Sequence, residues 1–214
     1  RRVKGYKPLL QSLNFKIEQG ETLGLIGQSG SGRTTLARCL VRLYRPEGKI
    51  IFLGKDIANS TPEKLKTVRS KIQMVFQDPF ASLNPRMKVG EIIAEGPRIH
   101  GLIPAKDVQS KVRALLEQVG LEGAYANRLP HQFSGGQRQR VAIARALAMQ
   151  PELLVLDEAV ASLDVSIQAQ VLNLFMDLRK QLDLTALFIS HDLSVVRHVC
   201  DRVAIMYLGR VVET

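Results

Sequence analysis

Two adjacent carboxylates, Asp157 and Glu158, end the apolar run Leu153-Leu154-Val155-Leu156. A short apolar run suits a strand buried in a parallel sheet, which would deliver both acids to the sheet's carboxyl edge. Upstream lies Gly27-Gln28-Ser29-Gly30-Ser31-Gly32-Arg33-Thr34, between the apolar run Leu23 to Ile26 and the helix-like Thr35-Leu36-Ala37-Arg38-Cys39-Leu40. Successive backbone N–H groups in such a glycine-rich loop form a concave nest for phosphate oxygens, and the Thr34 hydroxyl is placed to ligand a divalent cation. A third segment, Phe133-Ser134-Gly135-Gly136-Gln137-Arg138-Gln139-Arg140, opens a helix on a good N-cap, Ser134. Val141, Ile143, Ala144, Leu147 and Ala148 then recur at helical spacing. Free N–H groups at that helix start, beside two glycines that admit a ligand closely, also favour an anion. Alone, each segment also suits an ordinary capped helix or a strand end; their combination points to phosphate chemistry.

Strand, glycine loop and helix in that order make a P-loop. Such a loop normally carries Lys before its Ser/Thr, whereas this chain has Arg33. The planar guanidinium is bulkier than the compact ammonium that reaches between phosphates. The expectation is that Arg33 still attracts a polyphosphate but seats the terminal phosphate poorly, so turnover is slower than with Arg33→Lys.

Ser134-Gly135-Gly136-Gln137 followed by Leu153 to Glu158 resembles the signature loop and Walker B segment of the ATP-binding cassette (ABC) ATPases. The likeness extends over essentially the whole chain. It implies an α/β fold: a P-loop NTPase (RecA-like) core with an antiparallel β subdomain and an inserted α-helical subdomain. One domain would cover residues 1–214, with a core lobe at 1–77 and 151–214 and a helical subdomain at 78–150. ATP and Mg²⁺ are the implied cofactors. By this resemblance Gly27, Gln28, Ser29, Gly30, Ser31, Gly32, Arg33, Thr34 and Thr35 hold the phosphates, Thr34 and Asp157 serve Mg²⁺, and Glu158 polarises the attacking water. Gln77 matches the Q-loop glutamine, whose oxygen reaches Mg²⁺ and that water, although it also reads as a polar residue entering the turn Asp78-Pro79. His191, after Ala186-Leu187-Phe188-Ile189, matches the switch histidine on the γ-phosphate; the bland alternative is a structural His at a strand end. Asp164 matches the D-loop aspartate at the dimer seam or simply caps the helix beginning near Ser166. Tyr6 is the candidate for stacking on adenine, its alternative being an exposed terminal tyrosine. Ser134, Gly135, Gly136 and Gln137 of one subunit would close over ATP held by another.

The stretch Phe76-Gln77-Asp78-Pro79-Phe80-Ala81-Ser82-Leu83-Asn84-Pro85-Arg86 is similar to the peptide and nickel importer branch, the dipeptide and oligopeptide permease ATPases. Asp157 to Val165 looks like the second of the two unlike ATPase subunits that these importers often use, with Ala159 where Pro is more frequent. The implied partners are a second ATPase subunit, alike or unlike, arranged head to tail, two transmembrane permease subunits, and indirectly an extracytoplasmic solute-binding protein. The implied location is peripheral, on the cytoplasmic face of the inner membrane. Two other readings stand: a regulatory nucleotide-binding subunit with weak turnover, motivated by Arg33, and a soluble ABC ATPase of DNA repair or translation. The latter predicts two cassettes in one chain or a long coiled-coil insertion, and the sequence has neither.

The chain has 214 residues, 45% hydrophobic and 23% charged, enough for one substantial core or a core with a smaller lobe. It contains no apolar run near the ~18–20 residues that cross a bilayer and no secretory signal at its start. A net charge of +10 suits a basic face; Lys64, Lys66, Arg69 and Lys71 are scattered, without the aromatic-basic platform that stacks bases, so no nucleic-acid partner is expected. Cys39 and Cys200 read as free core thiols, and His100, His131 and His198 as surface or capping residues. Strands are expected at Phe15 to Glu18, Lys49 to Leu53, Leu153 to Leu156, Thr185 to Ile189 and Val203 to Tyr207. Helices are expected at Glu91 to Glu95, Asp107 to Val119, Gln137 to Met149, Ile167 to Gln181 and Leu193 to Cys200. A start at Arg1 and an end inside the strand-like Gly209-Arg210-Val211-Val212-Glu213 suggest an excised or partly covered domain.

Overall fold

The computed structural model describes residues 9–214. The chain runs through β1 (Thr22–Gly27), α1 (Arg33–Leu40), β2 (Ile51–Phe52), β3 (Lys55–Asp56), α2 (Pro62–Lys71) and β4 (Ile72–Val75). Four α-helices follow without an intervening strand: α3 (Pro79–Ser82), α4 (Val89–Ile99), α5 (Val108–Gln118) and α6 (Gly135–Leu147). Alternation then resumes with β5 (Leu153–Asp157), α7 (Val165–Leu182), β6 (Thr185–Ile189), α8 (Leu193–Val199), β7 (Arg202–Tyr207) and β8 (Arg210–Glu213).

Six strands form one sheet in the order β4-β5-β6-β1-β7-β8. All neighbours pair in parallel except β8, which returns antiparallel on β7. The apolar runs of β5 and β6 arise because both of their faces are covered. Leu154, Leu156, Ala186 and Phe188 enter a core with Val141 of α6, Phe175 of α7 and Val196 of α8. Leu153, Val155, Leu187 and Ile189 face the opposite core, with Leu36 and Ala37 of α1 and Leu23 and Leu25 of β1. Ile93 of α4 and Leu116 of α5 belong to the same core cluster as the first face of the sheet, with α6 beside β4.

Two expectations change, and one helix is additional. Residues 15–18 have no ladder partner among the described residues, although their exposure alternates and Phe15 and Ile17 pack on the second core. Alternation reports one packed face; it does not report a hydrogen-bonded neighbour. The strand expected at Lys49 to Leu53 contracts to Ile51–Phe52, paired with Lys55–Asp56 across a tight turn. Helix α2 was not foreseen, since it buries no residue and its Lys and Arg side chains dilute any apolar stripe. Cys39 and Cys200 are free, and burial pushes the Cys200 thiol up to about 12. Among the described residues no helix is long and apolar enough to cross a membrane.

Candidate functional site

The glycine loop joins the carboxyl end of β1 to α1, the place where a parallel sheet presents loops to a ligand. Its turn needs left-handed backbone at Gly30 (φ 77°) and Gly32 (φ 103°), which an L side chain adopts only with strain. Gly32 is the N-cap of α1 and supplies no side-chain cap, so the first-turn N–H groups stay available to an anion. Gly27, Gln28 and Ser29 share an open cavity of about 530 Å³ with His191.

Strand β5 delivers its acids beside this loop. Asp157, 3% exposed, accepts a hydrogen bond from the Thr34 hydroxyl at 3.1 Å. Burial pushes the Asp157 carboxyl above its ordinary range, partly offset by that hydroxyl and reinforced by neighbouring Glu158. A cation would relieve the cost of this buried charge, and hydroxyl plus carboxylate is an oxygen donor set suited to Mg²⁺.

Glu158 gathers the remaining groups. Its Oε1 accepts from Arg33 Nη2 at 3.0 Å and lies 3.5 Å from His191 Nδ1, while its Oε2 accepts from Gln77 Nε2 at 2.9 Å. The Glu158 backbone is left-handed, φ 48°, at a cost of roughly 1–2 kcal/mol. Two main-chain bonds hold it there: Glu158 N–H donates to Ile189 O and Ala161 N–H donates to Glu158 O, each at 3.0 Å. His191 precedes Asp192, whose carboxylate accepts from Ser194 N–H at 2.8 Å and starts α8.

Arg33 points inward, 7% exposed, and its Nη1 also donates to Gln28 O at 3.0 Å and Ser31 Oγ at 3.4 Å. The side chain therefore lies across the loop and neutralises Glu158, an arrangement absent from the sequence reading because 125 positions separate the two residues. Gln77 likewise bonds to Glu158 and not to Asp157.

Ser134 and Gln137 form a reciprocal cap on α6: Gln137 N–H donates to Ser134 Oγ at 3.3 Å and Ser134 N–H to Gln137 Oε1 at 3.0 Å. A Cβ on Gly135 would stand 3.2 Å from Leu163 and one on Gly136 2.4 Å from Ile167, so this turn rests on the segment carrying Asp164. Asp164 sits at the N-cap of α7 but makes no side-chain cap. No hydrogen bond joins Ser134 to Gln137 with the glycine loop among the described residues. Tyr6 lies outside the described residues.

Comparison with known proteins agrees with this geometry. The family model for ABC transporters matches residues 10–161. Oligopeptide transport ATP-binding protein AppF of Bacillus subtilis is 55% identical over 206 residues, covering 95% of this chain and 63% of AppF. Glutathione import ATP-binding protein GsiA of Escherichia coli is 51% identical over 205 residues, covering 95% of this chain and 33% of GsiA. The chain thus spans less than two thirds of either relative's length. Among solved structures, the ATP-binding cassette MJ0796, in a dimeric post-hydrolysis state bound to ADP and Pi, superposes with a TM-score of 0.85 at 29% identity, covering 96% of this chain and 89% of that one. With glycine loop, adjacent acids at the strand end and capped Ser-Gly-Gly turn on this sheet, the chain belongs to the ABC transporter family.

Proposed function

We propose that the chain is the ATP-binding and ATP-hydrolysing subunit of an importer for peptides or metal chelates. The observation that carries the reading is the convergence of Arg33, Gln77 and His191 on Glu158, beside the Thr34–Asp157 pair. The glycine loop, with Thr34 and Thr35 behind it, receives the phosphates. Thr34, Asp157 and, after turning from Glu158, Gln77 would hold Mg²⁺, which when bound neutralises phosphate charge. Glu158 orients and deprotonates the attacking water, and His191 contacts the terminal phosphate.

Ser134 to Gln137 and Asp164 complete the site of a second ATPase subunit, head to tail; among the described residues neither hydrogen-bonds the glycine loop of its own chain. Residues 1–77 and 151–214 form the core lobe, and 78–150 the helical subdomain that faces two permease subunits at the cytoplasmic side of the membrane. The names of AppF and GsiA, for oligopeptide transport and glutathione import, support the importer class. The test is uptake of labelled oligopeptide, glutathione and nickel by cells lacking this chain: at least one should be lost, and unchanged uptake of all three contradicts the reading. One observation favours a second reading, a subunit of weak turnover: the partly buried Arg33–Glu158 pair ties up the base.

The contact between Gly136 and Ile167 yields a separate prediction. A methyl at 2.4 Å from Ile167 Cγ2 must shift either that side chain or the turn, and with it the packing of the turn on the Asp164 segment. Gly136→Ala should lower steady-state phosphate release about tenfold, as small misplacements do, while leaving nucleotide affinity of the single subunit unchanged. A parallel loss of that affinity would place Gly136 at the chain's own nucleotide.

A further inference from the structure

The turn between β7 and β8 sits behind the glycine loop. Gly209 N–H donates to Ser31 O at 2.9 Å, and Gly209 O accepts from Gln11 N–H at 2.8 Å. We propose that Gly209 is a positioning residue for the phosphate loop, acting with the segment Leu9–Gln11 that the turn clamps. The inference rests on the nucleotide-site reading above and adds a residue far in sequence from every motif.

Peptide planarity supplies the mechanism. The Ser31 carbonyl shares one rigid trans unit with the Gly32 N–H, so fixing the direction of the carbonyl fixes the N–H to point the opposite way. Gly32 N–H is one of the loop donors assigned to phosphate. Packing leaves the unit little freedom: a Cβ on Gly32 would stand 2.7 Å from Leu10 Cδ2 and 3.2 Å from Met206 Cε, and one on Gly27 would stand 2.2 Å from Met206 O. Gly209 itself has no room, since its Cβ would meet Leu9 O at 1.9 Å and Leu9 C at 2.9 Å. Strand β7, its turn and residues 9–11 therefore pack on the loop at Gly27, Ser31 and Gly32, and a displacement of the turn is passed to the Ser31 carbonyl.

The fold contains its own control. Leu53-Gly54 makes the β2–β3 turn with φ 48° and 74°, and Leu208-Gly209 makes the β7–β8 turn with φ 44° and 77°. A Cβ on Gly54 meets nothing within 4 Å. Alanine therefore introduces the same left-handed strain at both glycines, and only at 209 does it also collide with the segment bracing the loop.

Equilibrium binding of a fluorescent ATP analogue, with a thermal melt of each protein, tests the proposal. Both Gly54→Ala and Gly209→Ala should lower Tm. Gly209→Ala should weaken binding about tenfold or more, in line with the effect of small displacements on a positioned site, whereas Gly54→Ala should stay within about twofold. Equal affinities for the two variants overturn the proposal and leave the nucleotide reading intact; failure of the unaltered chain to bind the analogue overturns both. If Gly209→Ala does not fold, Leu10→Ala keeps the turn and removes the side chain packed on Gly32. It should weaken binding several-fold, and unchanged binding by that variant overturns the proposal.

Discussion

Glu158→Gln should reduce MgATP hydrolysis by ~10²–10⁴-fold, the range associated with a positioned general base, while nucleotide binding persists. Glutamine preserves the shape of the side chain and an oxygen that can accept from Gln77, whose Nε2 lies 2.9 Å from Glu158 Oε2. It removes the negative charge and the basicity. It also removes the buried ion pair with Arg33, whose side chain is 8% exposed against 16% for Glu158. An arginine left buried without its partner is costly, and phosphate oxygens can supply the missing charge. ATP should therefore raise the Tm of the Glu158→Gln protein by more than it raises that of the unaltered chain. Phosphate release and equilibrium nucleotide binding, measured on the same preparations, check both parts. Loss of binding together with turnover would show that Glu158 serves the fold of the loop and not the chemistry.

The second large effect is expected at Arg33, and in the opposite direction. Arg33→Lys should raise hydrolysis about tenfold, equivalent to about 1.4 kcal/mol in the barrier. The guanidinium is engaged by Gln28 O, Ser31 Oγ and Glu158 Oε1. Each of these contacts must be exchanged before the cation can follow the phosphates, and the planar fork fits the space between β- and γ-phosphate less well than an ammonium on a flexible stem. Lysine would also free one oxygen of the Glu158 carboxylate from a bidentate-capable partner. Steady-state rates at saturating MgATP compare the two proteins, and equal rates refute this account of Arg33.

What could be read from the sequence was local. The glycine loop, the two acids after an apolar strand and Ser134 as an N-cap are each written in local sequence, and each occupies its expected element. Sheet order was not legible, because β1 lies between β6 and β7: Leu23 pairs with Leu187 on one side and Arg202 on the other, with no local signal for either. The same limit hid the partners of Glu158, which come from α1, the loop after β4 and the loop after β6. Its left-handed backbone was hidden too, since nothing in the Glu type suggests φ 48°. Gly209 stood in the sequence at the start of the strand-like run to Glu213; its close approach to Leu9 and its bond to Ser31 depend on where β7 ends in space. Conversely, Leu13, Phe15 and Ile17 carried a clear period-two pattern, and the structure uses it to cover the second core without pairing the backbone.

MgATP-dependent phosphate release by the unaltered chain, with Glu158→Gln as the blank, tests the central claim most directly. The account predicts release above that blank, modest in the unaltered chain and higher in Arg33→Lys. Nucleotide binding by all three proteins with no release above the blank from either the unaltered chain or Arg33→Lys would contradict it.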